Sequence, residues 1–328
     1  MPTLTLAEAE SLVARALTRC RTSEVNAAVV ARALVAAEAD GLKGHGLSRV
    51  PTYAAQAKIG KLDGFATPSV ARSRPGVAVV DAANGFAYPA IEAAITLLPE
   101  LARTSGIACA AIRRSHHCGA AGHPVERLAE RGLVAMMFAN TPGAIAPWGG
   151  AKAVFGTNPI AFACPLPGRP PVVVDLALSK TARGNILAAK QQGERIPEGW
   201  ALDADGKPTT DPDAALAGTM LPLGDAKGTA LVLMVELLAA GLTGANFAAD
   251  ASSFLDDKGP PPGTGQLIIA FDPAAFGGSG AHVAQLIASI EEQQGARLPG
   301  SRRLAARRKA ASEGLTVDDA LVANVEKL

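Results

Sequence analysis

The sequence lacks the marks of several large functional classes. It has 31 Lys and Arg against 30 Asp and Glu, a net charge of +1, so there is no basic excess to meet a nucleic acid. The one basic cluster, Arg302, Arg303, Arg307, Arg308 and Lys309, reads as a solvated helix face. No apolar run approaches the roughly 20 residues that span a bilayer. The most apolar stretch, residues 230–242, is shorter and carries Glu236, so it reads as a buried helix and no membrane partner is expected. No positive segment leads into an apolar one at the N-terminus, so no signal peptide is read. Four cysteines (Cys20, Cys109, Cys118 and Cys164) are scattered without paired spacing, which fits reduced thiols in the cytoplasm. Neither a P-loop nor a G-x-G-x-x-G after an early strand is present, so an ordinary doubly wound nucleotide fold is unsupported. Asp203-Ala-Asp-Gly206 lacks the further acidic positions of an EF-hand loop and reads as a turn.

What is there is a long, apolar chain. With 328 residues, 48% of them hydrophobic, it can bury a large core and fits about two domains. Thr5-Leu-Ala-Glu8 is a capping box opening a helix to about Cys20. Ser23 caps a second helix, which Gly41 stops. Strands are expected at residues 76–81, 106–112, 133–138, 160–164, 171–176 and 266–271. Helices are expected at 88–103 (ended or kinked by Pro99), 125–131, 179–190, 228–242, 281–293, 301–313 and 316–327. Strands alternating with helices make this an α/β protein with helical extensions at both ends.

Chemistry-bearing residues concentrate in two places. Residues 113–165 hold His116, His117 and His123 among loops rich in glycine, where backbone can approach a ligand closely. Earlier, the glycine-rich loop 41–50 carries His45 and Arg49. If the chain is helical from Leu47, His45 lies at the mouth of that helix and both side chains can face one pocket; an exposed surface loop would look the same. His116, His117, Cys118 and His123 offer nitrogen and sulfur to a metal. Adjacent strand residues point to opposite faces, however, and no acidic residue follows until Glu126, so no metal is expected. Cys118 beside a histidine is a nucleophile candidate, but nothing resembling an acyl site accompanies it.

Five segments in series, Gly-His45-Gly-Leu-Ser-Arg49, Ser115-His-His-Cys-Gly-Ala-Ala-Gly122, Phe155-Gly-Thr-Asn-Pro-Ile-Ala-Phe162, Val174-Asp-Leu-Ala177 and Arg297-Leu-Pro-Gly300, carry a resemblance. Together they resemble the malate/L-lactate dehydrogenase family that lacks the Rossmann fold, and within it the reductases of Δ1-piperideine-2-carboxylate and Δ1-pyrroline-2-carboxylate. The resemblance implies a non-Rossmann NAD(P)-binding sheet core at residues 76–275, a helical region 1–75 carrying substrate residues, and a helical region 276–328 packing against it. It also implies a homodimer, NADPH or NADH as cofactor, and a small carboxylated substrate. His45 matches the acid/base histidine; Arg49, Thr157 and Arg183 match substrate-binding positions. His117, Cys118, Gly119, Ala120 and Ala121, then Asp175, Leu176 and Ala177, match cofactor-binding segments, as do Lys227, Arg297, Gly300, Arg302 and Arg303.

These roles make physical sense. An arginine fork clamps a planar carboxylate, and histidine delivers a proton near neutral pH. The basic residues near the C-terminus suit a ribose 2′-phosphate. The activity expected is NAD(P)H-dependent reduction of a cyclic 2-imino acid to L-proline or L-pipecolate. The alternative is a 2-hydroxy-acid dehydrogenase acting on malate, lactate or ureidoglycolate. Two departures bear on that choice: the imine-reducing relatives have a serine where this chain has Gly44 and an aspartate where it has Asn185.

Overall fold

The computed structural model describes residues 2–278 and 280–328. Its centre is a seven-stranded sheet in the order Ser69–Arg74, Val77–Asp81, Ile107–Ser115, Thr264–Phe271, Val134–Ala139, Ile160–Leu166 and Arg169–Leu176. Val77–Asp81 and Ile107–Ser115 run parallel, and every other neighbouring pair is antiparallel. A doubly wound dinucleotide fold needs parallel strands joined by helical crossovers, so this α/β core is of the non-Rossmann kind. The last of these seven strands in sequence, Thr264–Phe271, lies in the middle of the sheet and is almost entirely buried. The sheet also begins inside the stretch expected to be helical, since the exposed edge strand Ser69–Arg74 precedes residue 76.

Helix Ala87–Ser105 covers one face through Ala90, Ile91, Ala94, Ile95, Leu98 and Leu101, the three-to-four spacing of an apolar stripe. Pro99 does not end it. Burial of Leu98, Leu101 and Ala102 on the sheet carries the helix past a residue that costs roughly 3 kcal/mol in a helix interior. Beside the sheet, helices Leu6–Arg19, Glu24–Ala39 and Val50–Ile59 share one apolar cluster with Ala310, Leu315, Val317 and Val325 from the other end of the chain. The capping box forms: Glu8 N–H donates to Thr5 Oγ1 at 3.2 Å, and Thr5 N–H to Glu8 Oε2 at 2.8 Å. Thr316, expected to open the last helix, instead pairs with Thr3, as Leu315 does with Leu4, and the helix starts at Asp319 under an Asp318 cap.

Two further expectations change. The helix expected from Ser179 starts at Arg183, because the Ser179 hydroxyl donates to the Thr181 carbonyl at 2.6 Å instead of capping a helix. The stretch expected to be a buried helix is a helix at Asp225–Glu236 followed by a wider turn, Leu237–Gly241, and one face of it is open. Leu233, Met234, Leu237 and Leu242 are 44%, 41%, 54% and 66% exposed. Its inner face holds Glu236, whose carboxylate accepts from Asn140 Nδ2, Asn158 Nδ2 and Ala248 N–H, tying three loops together. No helix among the described residues is long and apolar enough to cross a membrane.

Candidate active site

His45 ends a short 3-10 turn, Lys43–His45, and Arg49 ends another, Leu47–Arg49, which runs directly into helix Val50–Ile59. Glu38 holds this corner. Its Oε2 accepts from Leu47 N–H at 3.0 Å, and a Cβ at Gly46 would stand 2.2 Å from that oxygen and 3.1 Å from the Glu38 Cα. Only glycine lets the loop pass so close to the preceding helix. Arg49 Nε donates to the Gly44 carbonyl at 2.6 Å, which fixes the guanidinium over the loop that carries His45.

The sheet delivers the second half of the site. After strand Ile107–Ser115 the chain places His117 against His45, with centroids 5.2 Å apart and rings inclined by 10°. His117 Nδ1 lies 2.6 Å from the Tyr53 hydroxyl, which lies 3.2 Å from the Tyr88 hydroxyl. Phe254 packs on His116 at 5.0 Å and on His117 at 5.4 Å. The Phe254 loop is itself held from helix Val50–Ile59 and its end. Gln56 Nε2 donates to the Phe254 carbonyl at 3.2 Å, and buried Lys61 to the carbonyls of Ser253, Asp256 and Lys258.

The electrostatics follow from this packing. Burial, then Arg49, then His123 lower the His45 pKa to about 4. His116 falls to about 3 through burial, Lys61 and Arg49, and His117 lies well below the usual histidine range through burial, Arg49, His45 and His116. One guanidinium is therefore felt by all three imidazoles, and all three are neutral at pH 7. The Cys118 thiol is pushed up to about 12, first by burial and then by Asp175, which leaves it unreactive as a nucleophile.

A cleft of about 910 Å³ opens beside His45, lined also by Asp175, Leu176 and Ala177 from the sheet edge and by Arg297, Gly300, Arg302 and Arg303. Asp175 Oδ2 accepts from Gly122 N–H, the first residue of helix Gly122–Ala129, at 2.7 Å. Burial pushes the Asp175 carboxyl up, with that hydrogen bond opposing. Arg303 does not present a free charge to the cleft. It pairs with Asp40 at 3.1 Å and Glu126 at 2.7 Å, and Arg307 binds the same two carboxylates at 2.7 and 2.8 Å. His123 completes the cluster through Nε2 on Asp40 at 2.9 Å. Burial would raise the Asp40 pKa, but hydrogen bonds from Arg307 and His123 hold it far below the carboxylate range. Arg297 and Arg302 pair with no described residue.

The remaining sites expected from sequence lie elsewhere in the chain. Cys118 and Ala120 line a different cavity. Gly119 has φ +70° and carries its backbone over Tyr88, whose hydroxyl would stand 2.7 Å from a Cβ there. Ala121 caps helix Gly122–Ala129. Thr157 N–H donates to Thr141 Oγ1 at 2.9 Å, and the two hydroxyls are 3.3 Å apart. Arg183 is exposed and donates to the Leu216 carbonyl at 3.1 Å. Lys227 is exposed on helix Asp225–Glu236. Neither is among the residues lining the cleft. At Gly44 a Cβ would meet nothing within 4 Å, and Asn185 Nδ2 donates to Thr181 Oγ1 at 3.0 Å. Among the described residues no serine or aspartate hydrogen-bonds the buried His45 Nδ1. The described residues gather no group of three or more His, Cys, Asp and Glu side chains able to hold a metal ion. Tyr53, Tyr88, Phe254 and Asp40 shape the site but carry no sequence motif.

The family model for malate/L-lactate dehydrogenase matches residues 4–326. The chain belongs to the malate/L-lactate dehydrogenase family. It is an oxidoreductase. Among its relatives is a (2R)-3-sulfolactate dehydrogenase (NADP(+)) of Chromohalobacter salexigens, 53% identical over 322 residues, 97% of this chain and 96% of the relative. A Δ1-pyrroline-2-carboxylate/Δ1-piperideine-2-carboxylate reductase of Pseudomonas putida is 42% identical over 330 residues, 98% of this chain and 95% of the relative. The crystal structure of Δ1-piperideine-2-carboxylate reductase from Pseudomonas syringae pvar. tomato superposes with a TM-score of 0.94 at 38% identity, covering 100% of this chain and 99% of that one. The fold described above is thus shared with that reductase, and the site lies on the common scaffold.

Proposed function

We propose that this family member oxidises a small 2-hydroxy acid with NADP+, and runs the reverse reduction of the 2-oxo acid with NADPH. The observation that carries this reading is the hydrogen bond between His117 Nδ1 and the Tyr53 hydroxyl, in which Nδ1–H donates to the phenol oxygen when Nε2 is the free base. A base works best when a third group fixes its other nitrogen. His117 has that support and is neutral, so its Nε2 is the nitrogen suited to take the proton of a C2 hydroxyl. His45, expected to be the acid/base residue, has a buried Nδ1 without a protein partner and covers His117 by stacking; orienting the substrate is the role we give it. Arg49, whose charge reaches both rings, grips the substrate carboxylate and sets which face of C2 is presented.

A bound nicotinamide would supply the hydride acceptor. The residues of the cleft fit such a dinucleotide: Asp175 at the sheet edge, the turn at Gly300 leading into helix Ser301–Glu313, and two arginines with no ion-pair partner. Arg297 and Arg302 suit a 2′-phosphate, hence NADP rather than NAD. The name of the 53% identical relative supports both the hydroxy acid and the NADP reading, and Gly44 and Asn185 take this chain away from the imine-reducing pattern.

A second reading, reduction of a cyclic 2-imino acid to L-proline or L-pipecolate, draws support from the 42% identical relative and the 0.94 superposition. An imine that arrives protonated needs no base from the protein, so it leaves the Tyr53–His117 bond without a task. The experiment is a substrate panel: (2R)-3-sulfolactate, malate and lactate with NADP+, then pyrroline-2-carboxylate with NADPH, followed by nicotinamide absorbance. Oxidation of at least one hydroxy acid is expected; turnover of the imine alone contradicts the reading. The open apolar face of Leu233, Met234, Leu237 and Leu242 supports a homodimer in which a second copy covers it. Sedimentation equilibrium tests this, with a monomer as the contrary result.

A further inference from the structure

Oxidising a secondary alcohol breaks the C2–H and O–H bonds, forms C=O, and delivers one hydride and one proton per turnover. A bound nicotinamide would carry the hydride away, which leaves the proton on the protein. Its natural exit is the cleft, which the cofactor would fill. His117 is 6% exposed and Tyr53 0%, so the ring that takes the proton has almost no solvent of its own.

On the far side of that ring lies a different route. The Tyr53 hydroxyl touches His117 Nδ1 at 2.6 Å and the Tyr88 hydroxyl at 3.2 Å. Tyr88 lines a second cavity of about 530 Å³, whose walls carry both carboxylates and guanidiniums, among them Glu10, Glu130, Arg32 and Arg307. This cavity lies between the N-terminal helices and helices Ala87–Ser105 and Gly122–Ala129, apart from the cleft at Asp175 and Arg297. Gly119 leaves room for the contact, since a Cβ there would collide with the Tyr88 hydroxyl at 2.7 Å.

We propose that Tyr53 and Tyr88 form a proton wire from His117 to the water of this second cavity, a role that rests on the 2-hydroxy-acid reading above. As His117 Nε2 takes the substrate hydroxyl proton, Nδ1–H passes its proton to the Tyr53 oxygen. Tyr53 O–H passes one to Tyr88, and Tyr88 O–H releases one to cavity water. Each oxygen gains and loses one proton, so both tyrosines stay neutral. Burial, the largest cause for both phenols, pushes Tyr53 up to about 12 and Tyr88 well above the ordinary phenol range, so a standing tyrosinate is avoided.

The test is stopped-flow turnover in weak buffer, following nicotinamide absorbance for the hydride and an indicator dye for the proton. The wild type is expected to release both together. Tyr88→Phe keeps the Tyr53–His117 bond and severs the link to the cavity. Proton release should then lag hydride transfer by roughly tenfold or more, below the full 10²–10⁴ contribution of a positioned proton transfer because the cleft remains a slow route. Tyr53→Phe should show the same lag, and in addition shift the ring ¹⁵N signals of His117 in the protein without cofactor. Proton release that keeps pace with the hydride in both variants overturns the wire. Wild-type protein that oxidises no hydroxy acid also ends it, and identifies the proposed function as the failing premise. Unfolding midpoints for both variants exclude a general loss of structure as the source of a lag.

Discussion

The imidazoles of His45 and His117 lie 5.2 Å apart, inclined by only 10°, so the loop after Gly41 places one ring as a cover over the other. Arg49 is bound to the same loop through the Gly44 carbonyl and lowers both pKa values. The proposed proton acceptor, its cover and the carboxylate clamp are thus set by one short turn against one strand end.

Removing the clamp should show in substrate affinity. Arg49→Ala is expected to raise KM and lower kcat/KM by about 1.5–3 kcal/mol, the cost of a charge-assisted hydrogen bond. Steady-state kinetics check this, and an unchanged KM would take Arg49 out of the role.

The glycine that admits the loop should be intolerant of even one methyl group. In Gly46→Ala, the new Cβ must displace the Glu38 carboxylate and press on its backbone. Activity should fall while circular dichroism stays native, because the loop moves and the sheet does not. Full activity in this variant would mean the corner adapts.

The ion cluster joining both ends of the chain should carry stability. The Asp40 side chain is wholly buried between His123, Arg303 and Arg307, and losing one partner of a buried pair costs about 3–5 kcal/mol. Asp40→Asn should lower the urea midpoint accordingly, with little relief from added salt. A midpoint unchanged by the substitution contradicts this.

Stability should also fall on mild acidification. His45 and His116 titrate near 4 and 3 in the folded chain, against an ordinary value of 6.5. Below about pH 6.5 the unfolded chain binds protons that the folded chain refuses, so stability declines as pH drops from there toward the folded values. Above about pH 6.5 both states are unprotonated and these rings contribute no pH dependence. Thermal melts between about pH 7 and 5 should show the decline, and His116→Phe should make it shallower. An equal slope in that variant would contradict the assignment.

The local features were legible in the sequence because their partners are near neighbours. Thr5 with Glu8, and Ser23 with Asn26, lie three residues apart and form the expected caps. The strand runs were legible too, since burial imposes their composition. What stayed hidden depends on partners far along the chain: Tyr53 is 64 residues from His117, and Asp40 is 267 from Arg307. The helix at Ala230 misled for a related reason, since an apolar composition cannot distinguish a core face from one left exposed. Arg303 matched a cofactor motif, yet two distant carboxylates claim its guanidinium.

The central claim is that a neutral, Tyr53-bound imidazole takes the proton of a C2 hydroxyl. The most direct measurement is the rate of NADP+ reduction by (2R)-3-sulfolactate, malate and lactate for wild type, His117→Gln and His45→Gln. We expect His117→Gln to lose roughly 10²–10⁴-fold in kcat, the contribution of a positioned base, and His45→Gln to lose much less. Undiminished oxidation by His117→Gln, or the larger loss falling on His45→Gln, would contradict it.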